Sequence, residues 1–207
     1  MNIISLGVGV KSSALYLMSS IGELPRCDYA IFSDLGFEKK ATYQYLDFLL
    51  DWQKKNNGIE IIVDRSKNLY QDLLNQTNSL NNRFASIPAF TKNEDGSIGM
   101  LRRQCTFEYK IDIVDKRIRS ILGIKPRYKM PNVNVWSGIT LDEMERMANP
   151  QSAWKINVYP FVGYSFTKYS YSKINYLEDR WSRQSVINWF INKNLPIPIK
   201  SGCGLIR

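Results

Sequence analysis

A chain of 207 residues, 44% hydrophobic and 23% charged, suits one α/β domain with a proper core, and no apolar run is long enough to span a membrane. The formal charge of +9 favours anionic partners such as nucleotides, sulfonucleotides or nucleic acid without choosing among them. Histidine is absent, which excludes Ser-His or Cys-His nucleophilic machinery and histidine-rich metal sites. The three cysteines, Cys27, Cys105 and Cys203, are too widely spaced for a disulfide framework or a CxxC metal motif.

Met1 leads directly into an apolar run with no signal-peptide pattern, so an unexported, cytoplasmic chain is expected. The stretch Ile3 to Leu17 reads as strand, tight turn, helix. Its turn, Gly7-Val-Gly9-Val-Lys11-Ser12-Ser13, puts bare N–H groups, two hydroxyls and an ammonium at the positive end of a helix. The helix runs from Ser12 to Ile21 and is closed by Gly22 and Pro25. Tyr29 to Phe32 is a second strand ending at Ser33-Asp34-Leu35-Gly36. Lys40 to Asn56 is a long helix stopped by Asn57-Gly58, Ile59 to Val63 a third strand, and Asn68 to Asn75 a short helix. Strands alternating with helices imply βαβ crossovers and a parallel sheet, whose ligands bind beyond the carboxyl ends of the strands.

Residues 76–104 read as a long loop with a hairpin turn at Asp95-Gly96. A helical pattern follows from Cys105 to Leu122, a strand from Val133 to Ile139, and a short segment from Leu141 to Met147. Residues 163–181 form a Tyr/Ser/Lys-rich insertion, Gln184 to Asn192 a final helix, and residues 195–207 an extended tail fixed by Pro196 and Pro198. The insertion either stacks nucleobases on Tyr164, Phe166, Tyr169, Tyr171 and Tyr176 between Lys168 and Lys173, or packs over the core as a covering hairpin. The whole chain, 1–207, is expected to be a single domain.

Several residues carry chemistry on their own terms. The glycine loop is an anion site or a plain helix start capped by Ser12 and Ser13. Asp34 holds magnesium, orients a ribose hydroxyl, or caps the turn that follows it. Arg102, Arg103 and Lys110 suit a phosphate or sulfate clamp, against simple surface solvation of a dibasic pair. Arg146 lies four residues after Asp142 and three after Glu143, the spacing of a helix-surface ion pair. Cys203 sits among small residues near Lys200 and Arg207, which favour a thiolate; Cys105 and Cys27 fit packed, structural positions.

Taken in order, these segments resemble the phosphoadenosine phosphosulfate (PAPS) reductase-like family of the adenine nucleotide α-hydrolase superfamily. Ile4-Ser-Leu-Gly-Val-Gly-Val-Lys-Ser-Ser-Ala-Leu resembles its modified pyrophosphate loop, and Ile31-Phe-Ser-Asp34-Leu-Gly36-Phe-Glu38 its Asp-Thr-Gly segment. Gly99-Met-Leu-Arg102-Arg103-Gln-Cys105-Thr-Phe-Glu-Tyr-Lys110-Ile resembles its central Arg-Arg-x-Cys-Thr block. Trp136-Ser-Gly138-Ile-Thr-Leu-Asp142-Glu143-Met-Glu-Arg146-Met resembles its Gly-Ile-x-x-Asp-Glu block, and Pro198-Ile-Lys200-Ser201-Gly-Cys203 its C-terminal element. The chain departs at Val8, where the loop's second glycine is usual, and at Lys11, where an aspartate is usual. It also departs at Ile206 in place of a second C-terminal cysteine, and its tail lacks Glu-Cys-Gly.

The resemblance implies a mainly parallel, Rossmann-like sheet sandwiched by helices. It implies an adenine nucleotide, ATP or PAPS, held by Gly7, Gly9, Lys11, Ser12, Ser13, Asp34, Gly36, Arg102, Gly138 and Arg146. Cys203, Lys110 and Arg103 are the expected catalytic residues, and Asp34 is the expected ligand for any magnesium; no iron–sulfur cluster is expected. Two reactions fit: sulfonate transfer to Cys203 with a thiol reductant protein, or adenylation with release of pyrophosphate. A nucleotide or nucleic-acid binder that keeps the scaffold without catalysis is the alternative. Neither membrane association nor any particular oligomeric state is implied.

Overall fold

Adjacent isoleucines at the start of the chain set the architecture. Ile3 and Ile4 point to opposite faces of one strand and both are fully buried, so that strand must be covered on both sides. The computed structural model describes residues 1–82, 90–100 and 106–199. Here β1 (Asn2–Ser5) leads into α1 (Val10–Ile21), β2 (Tyr29–Ser33) into α2 (Lys40–Asn56), and β3 (Glu60–Asp64) into the short α3 (Leu69–Leu74). An antiparallel hairpin of β4 (Phe90–Lys92) and β5 (Ile98–Met100) follows, with Asp95 and Gly96 in its turn as the sequence predicts. A π-helical turn, Phe107–Ile111, then runs straight into α4 (Asp112–Ile121). The remaining elements are β6 (Val133–Trp136), a 3-10 segment Leu141–Arg146, β7 (Lys155–Tyr159), β8 (Tyr164–Phe166), β9 (Tyr171–Lys173) and α5 (Arg183–Asn192).

Seven strands form one sheet in the order β3-β2-β1-β6-β7-β8-β9. The first five in that order are parallel, and β8 and β9 add an antiparallel edge. Ile4, Phe32 and Trp136 pack on one face against Leu15 of α1, Leu49 of α2 and Phe190 of α5. Ile3, Ile31, Val133 and Val135 pack on the other face against Val114 and Ile118 of α4. The sheet is therefore a buried, mainly parallel α/β sheet. No described helix is long and apolar enough to cross a membrane.

From β1 the chain steps outward to β3, then returns to β6 on β1's other side. That reversal lies between β1 and β6, the position at which α/β sheets bind ligands beyond their strand ends.

Some elements differ from the sequence pattern. α1 begins at Val10, two residues before the Ser12 expected, because Gly9 already provides an extended N-cap. The strand expected over 133–139 stops at Trp136, since Ile139 N–H turns back to the Ser137 carbonyl at 2.9 Å. β7 has no counterpart among the strands expected from the sequence. Its Lys-Ile-Asn-Val-Tyr does alternate polar and β-branched residues, but over only five positions, and Lys155 is buried against the alternation. The aromatic stretch 163–181 divides its work: β8 and β9 extend the sheet, and Tyr176 stacks on Trp136 over the core (centroids 5.1 Å apart). The π-helical turn is anchored from β2. Ser33 Oγ at the end of β2 donates to the Tyr109 carbonyl at 2.6 Å, which ties the turn to the sheet.

Candidate functional site

The β1–α1 loop is braced by its own serine. Gly7 and Gly9 N–H both donate to Ser12 Oγ at 3.2 Å, and Ser12 Oγ lies 3.3 Å from the Gly9 carbonyl, to which it donates. Gly9 has no side chain to cap α1. The first-turn N–H groups of Val10, Lys11 and Ser12 thus lack any intrahelical acceptor, and the helix dipole adds positive potential there. Val8 takes φ 53°, the left-handed region that a β-branched residue rarely enters. Holding it there costs about 1–3 kcal/mol. Its side chain is 1% exposed, and that burial offsets the strain. Ser13 is fully buried with an unpartnered Oγ, so it belongs to the core side of the helix, unlike Ser12.

The segment after β6 closes over this helix start. Gly138 lies directly against the Lys11–Ser12 peptide: a Cβ there would sit 2.7 Å from Lys11 C, 2.8 Å from Ser12 N and 2.9 Å from Lys11 O. Only glycine allows so close an approach between two stretches of backbone. The 3-10 segment that follows is broken at Glu143 (φ −135°, ψ 27°), and the Glu143 carboxylate pairs with both Lys11 Nζ and Arg146 Nη1. Burial acts to raise the Glu143 pKa, but the two cations outweigh it and hold the carboxyl below its ordinary value.

Asp142 does not join this group. It accepts from Arg183 N–H at 2.5 Å and Thr140 Oγ1 at 3.2 Å, at the start of α5. The three-residue period of the 3-10 turn explains why Arg146 meets Glu143 and not Asp142.

A second polar group stands at the ends of β2 and β3. Asp34 is 4% exposed; its Oδ1 accepts from Gly36 N–H (3.0 Å) and Tyr43 OH (2.7 Å), and its Oδ2 from Arg65 Nε (3.0 Å). Burial and the bond to Asp34 push the Tyr43 phenol up to about 12, so it stays a donor. Gly36 has φ +78°, and a Cβ would fall 2.4–2.6 Å from the Asn68 side chain, which itself caps α3. The Arg65 side chain is 68% exposed, so its grip on Asp34 is open to exchange.

Lys110, in the π-helical turn, pairs with Glu38 at 3.3 Å. The Glu38 side chain is 2% exposed and its Oε2 has no partner.

Three segment-crossing pairs, Lys11–Glu143, Arg65–Asp34 and Lys110–Glu38, therefore line one edge of the sheet. Arg65 and Tyr43 lie outside the sequence motifs, and Glu38 closes the segment around Asp34 without a role assigned to it. Arg65 carries a signal after the fact, since it directly follows β3 at the ligand edge. Glu38 is followed by Lys39-Lys40, and nothing local in the sequence marks its burial. Gly7, Gly9, Lys11, Ser12, Gly138 and Arg146 come together at α1. Asp34 and Gly36 form the neighbouring group, and Arg102, Arg103, Cys105, Lys200, Ser201 and Cys203 lie outside the described residues.

Among the described donors Asp34 alone would face a magnesium ion, whose remaining ligands would be the substrate's phosphate oxygens and water. Asp34 is a single carboxylate with a guanidinium on one oxygen, Lys11 stands near the loop, and no group of three Asp, Glu or Cys gathers among the described residues. The edge is suited to an anion: bare N–H groups, a lysine and two arginines. No protein-family model matches the chain, and no curated protein matches it.

Proposed function

We propose that this chain is an adenine-nucleotide-dependent enzyme of the PAPS reductase-like kind within the adenine nucleotide α-hydrolase superfamily. It binds the nucleotide's phosphates at the start of α1 and acts at their phosphate or sulfate end. The observation that carries this reading is the uncapped first turn of α1, with Lys11 and Arg146 beside it, at the reversal between β1 and β6.

In this reading the N–H groups of α1 and the Lys11 ammonium take the phosphate oxygens as Glu143 yields them. Arg146, freed at the same time, adds charge-assisted donors that strengthen as negative charge builds on the departing group. Asp34, held by Gly36 and Tyr43, keeps its orientation when Arg65 swings to an anion. For a sulfonucleotide, the Cys203 thiolate attacks sulfur and the sulfur–oxygen bond to phosphate breaks. Adenosine bisphosphate leaves, and a dithiol reductant then releases sulfite and restores the thiol. For ATP, a substrate oxygen attacks the α-phosphorus and pyrophosphate leaves into the same cationic edge.

Product analysis separates these routes. PAPS with a dithiol reductant yields sulfite and adenosine bisphosphate in the first, and Cys203→Ser abolishes it; ATP with a cosubstrate yields pyrophosphate in the second. Full turnover by Cys203→Ser rules out covalent sulfur transfer. The Lys11–Glu143 pair, at a position where relatives carry aspartate, favours a second reading as a non-catalytic nucleotide binder. Nucleotide binding with no product from either substrate is the result that reading requires.

A further inference from the structure

The opposite edge of the sheet carries a separate basic surface. Between Lys116 and Asn132 the chain has six Lys or Arg and no Asp or Glu. Lys116 and Arg117 are committed to Asp112 and Asp64, and Arg119 holds the loop after α4 by donating to the Lys125 and Tyr128 carbonyls at 3.1 and 3.2 Å. Arg127 takes φ 72° within that loop, and Met130 is buried behind it. Lys125, Arg127 and Lys129 are exposed, and among the described residues none of them meets a carboxylate. Tyr128 beside them is 69% exposed, and the loop lines an open concavity of about 420 Å³.

Strand direction fixes where this lies. The loop precedes β6, so it sits at the N-terminal edge of the parallel sheet, whereas the α1 site follows β1 at the C-terminal edge. The β8–β9 turn reaches the same N-terminal edge, because Phe166 pairs with Asn157 while Tyr164 pairs with Tyr159. That turn presents Tyr169, 81% exposed, with Lys168 Nζ 5.6 Å from its ring centroid.

From the unpaired cations and exposed rings we infer that this edge binds single-stranded nucleic acid. Lys125, Arg127, Lys129 and Lys168 contact phosphates, while Tyr128 and Tyr169 offer faces to unpaired bases. Cations with no internal carboxylate are free for external anions, and the chain's charge of +9 supplies long-range attraction. Tyrosine beside cations at alternate positions is the pattern by which single strands are held without base-specific readout. Duplexes hide the base faces, and an anionic bilayer would call for apolar anchors that this loop does not present.

The test is fluorescence anisotropy with a labelled twelve-nucleotide oligouridylate, which avoids the adenine site, at several salt concentrations. Binding should weaken with salt, and Lys125→Gln/Lys129→Gln should reduce the log–log slope by about 1.4, the share of two phosphate contacts on a single strand. Tyr128→Ala should weaken binding about tenfold. Lys39→Gln/Lys40→Gln, equal in charge and at the other edge, should change neither. Thermal unfolding confirms that each variant is folded. Equal loss in both double variants, unchanged affinity in Tyr128→Ala, tighter binding of a duplex of the same length, or preference for phosphatidylserine vesicles would each overturn the proposal.

Discussion

Replacing Gly138 by alanine isolates the contact on which the α1 site is built. Gly138 does not have the positive φ that alanine resists, so the backbone itself accepts the change. The added Cβ, however, would meet three backbone atoms of Lys11 and Ser12 at 2.7–2.9 Å. Backbone in the first turn of a helix cannot rotate aside as a side-chain tip can. Overpacking of this kind costs about 1–3 kcal/mol, and three simultaneous contacts put it at the upper end. Alanine recovers roughly 0.4–1 kcal/mol through a stiffer unfolded chain. The net expectation is a loss of about 2 kcal/mol, or a fall in Tm of roughly 4–8 °C for a domain of this size. Urea denaturation followed by circular dichroism reads the first quantity, and calorimetry the second. Gly7→Ala is the control: its Cβ would meet only Ser12 Oγ at 3.6 Å, an ordinary contact, so its stability should stay within about 0.5 kcal/mol or rise. A Gly138→Ala protein as stable as the Gly7→Ala protein would refute the close approach between the β6 loop and α1.

Three further outcomes follow from the site and the core. Glu143→Gln releases Lys11 and Arg146 from their shared carboxylate, so pyrophosphate should bind about three- to tenfold more tightly by isothermal titration; unchanged affinity would separate those cations from the anion site. Asp64, 3% exposed, accepts from Ser66 and Arg117. Burial pulls its pKa up, but these bonds outweigh it and the net shift is downward. A carboxylate lowered in the fold stabilises above its unfolded value of about 3.9, and that contribution is lost as pH falls through the folded pKa. Asp64→Asn should therefore cost about 1.5–3 kcal/mol in urea at pH 7, the range for hydrogen bonds to a charged group, and progressively less below pH 4, whereas a gap that widens in acid would contradict the sign. Cys27 is buried, which pushes its thiol up to about 12; it should resist thiol reagents at pH 8 in the native protein and react fully in denaturant.

The parallel half of the fold is legible in the sequence because its strands are buried on both faces. Ile3-Ile4 and Ala30-Ile31-Phe32 leave no polar register, and the intervening helices carry clear apolar stripes. β7 and the antiparallel edge are not, since Lys155–Tyr159 alternates polar and apolar residues over only five positions and the exposed Tyr171–Lys173 offers neither an apolar run nor a long alternation. At the site, the Gly7–Ser13 loop and Gly138 announce a turn and a close approach, though the surface Gly138 approaches is α1's backbone. Partnerships set by tertiary structure stay hidden. Nothing local indicates that Arg65 will reach Asp34 across two strand ends, or that Glu143 and not Asp142 will meet Arg146 once the turn tightens to three residues. Val8 is another such case, because only the surrounding core makes its left-handed backbone tolerable.

The central claim is that the start of α1 holds the phosphates of an adenine nucleotide. The direct test is thermal unfolding of the full chain titrated with ATP, PAPS and adenylyl sulfate, beside Lys11→Ala and uridine nucleotides as controls. A ligand at one hundred times its Kd adds about 2.7 kcal/mol, which raises Tm by roughly 5–10 °C. At least one adenine nucleotide should produce such a rise, and Lys11→Ala should shift its midpoint at least tenfold higher. No rise with any of the three, or a rise that Lys11→Ala leaves untouched, would contradict it.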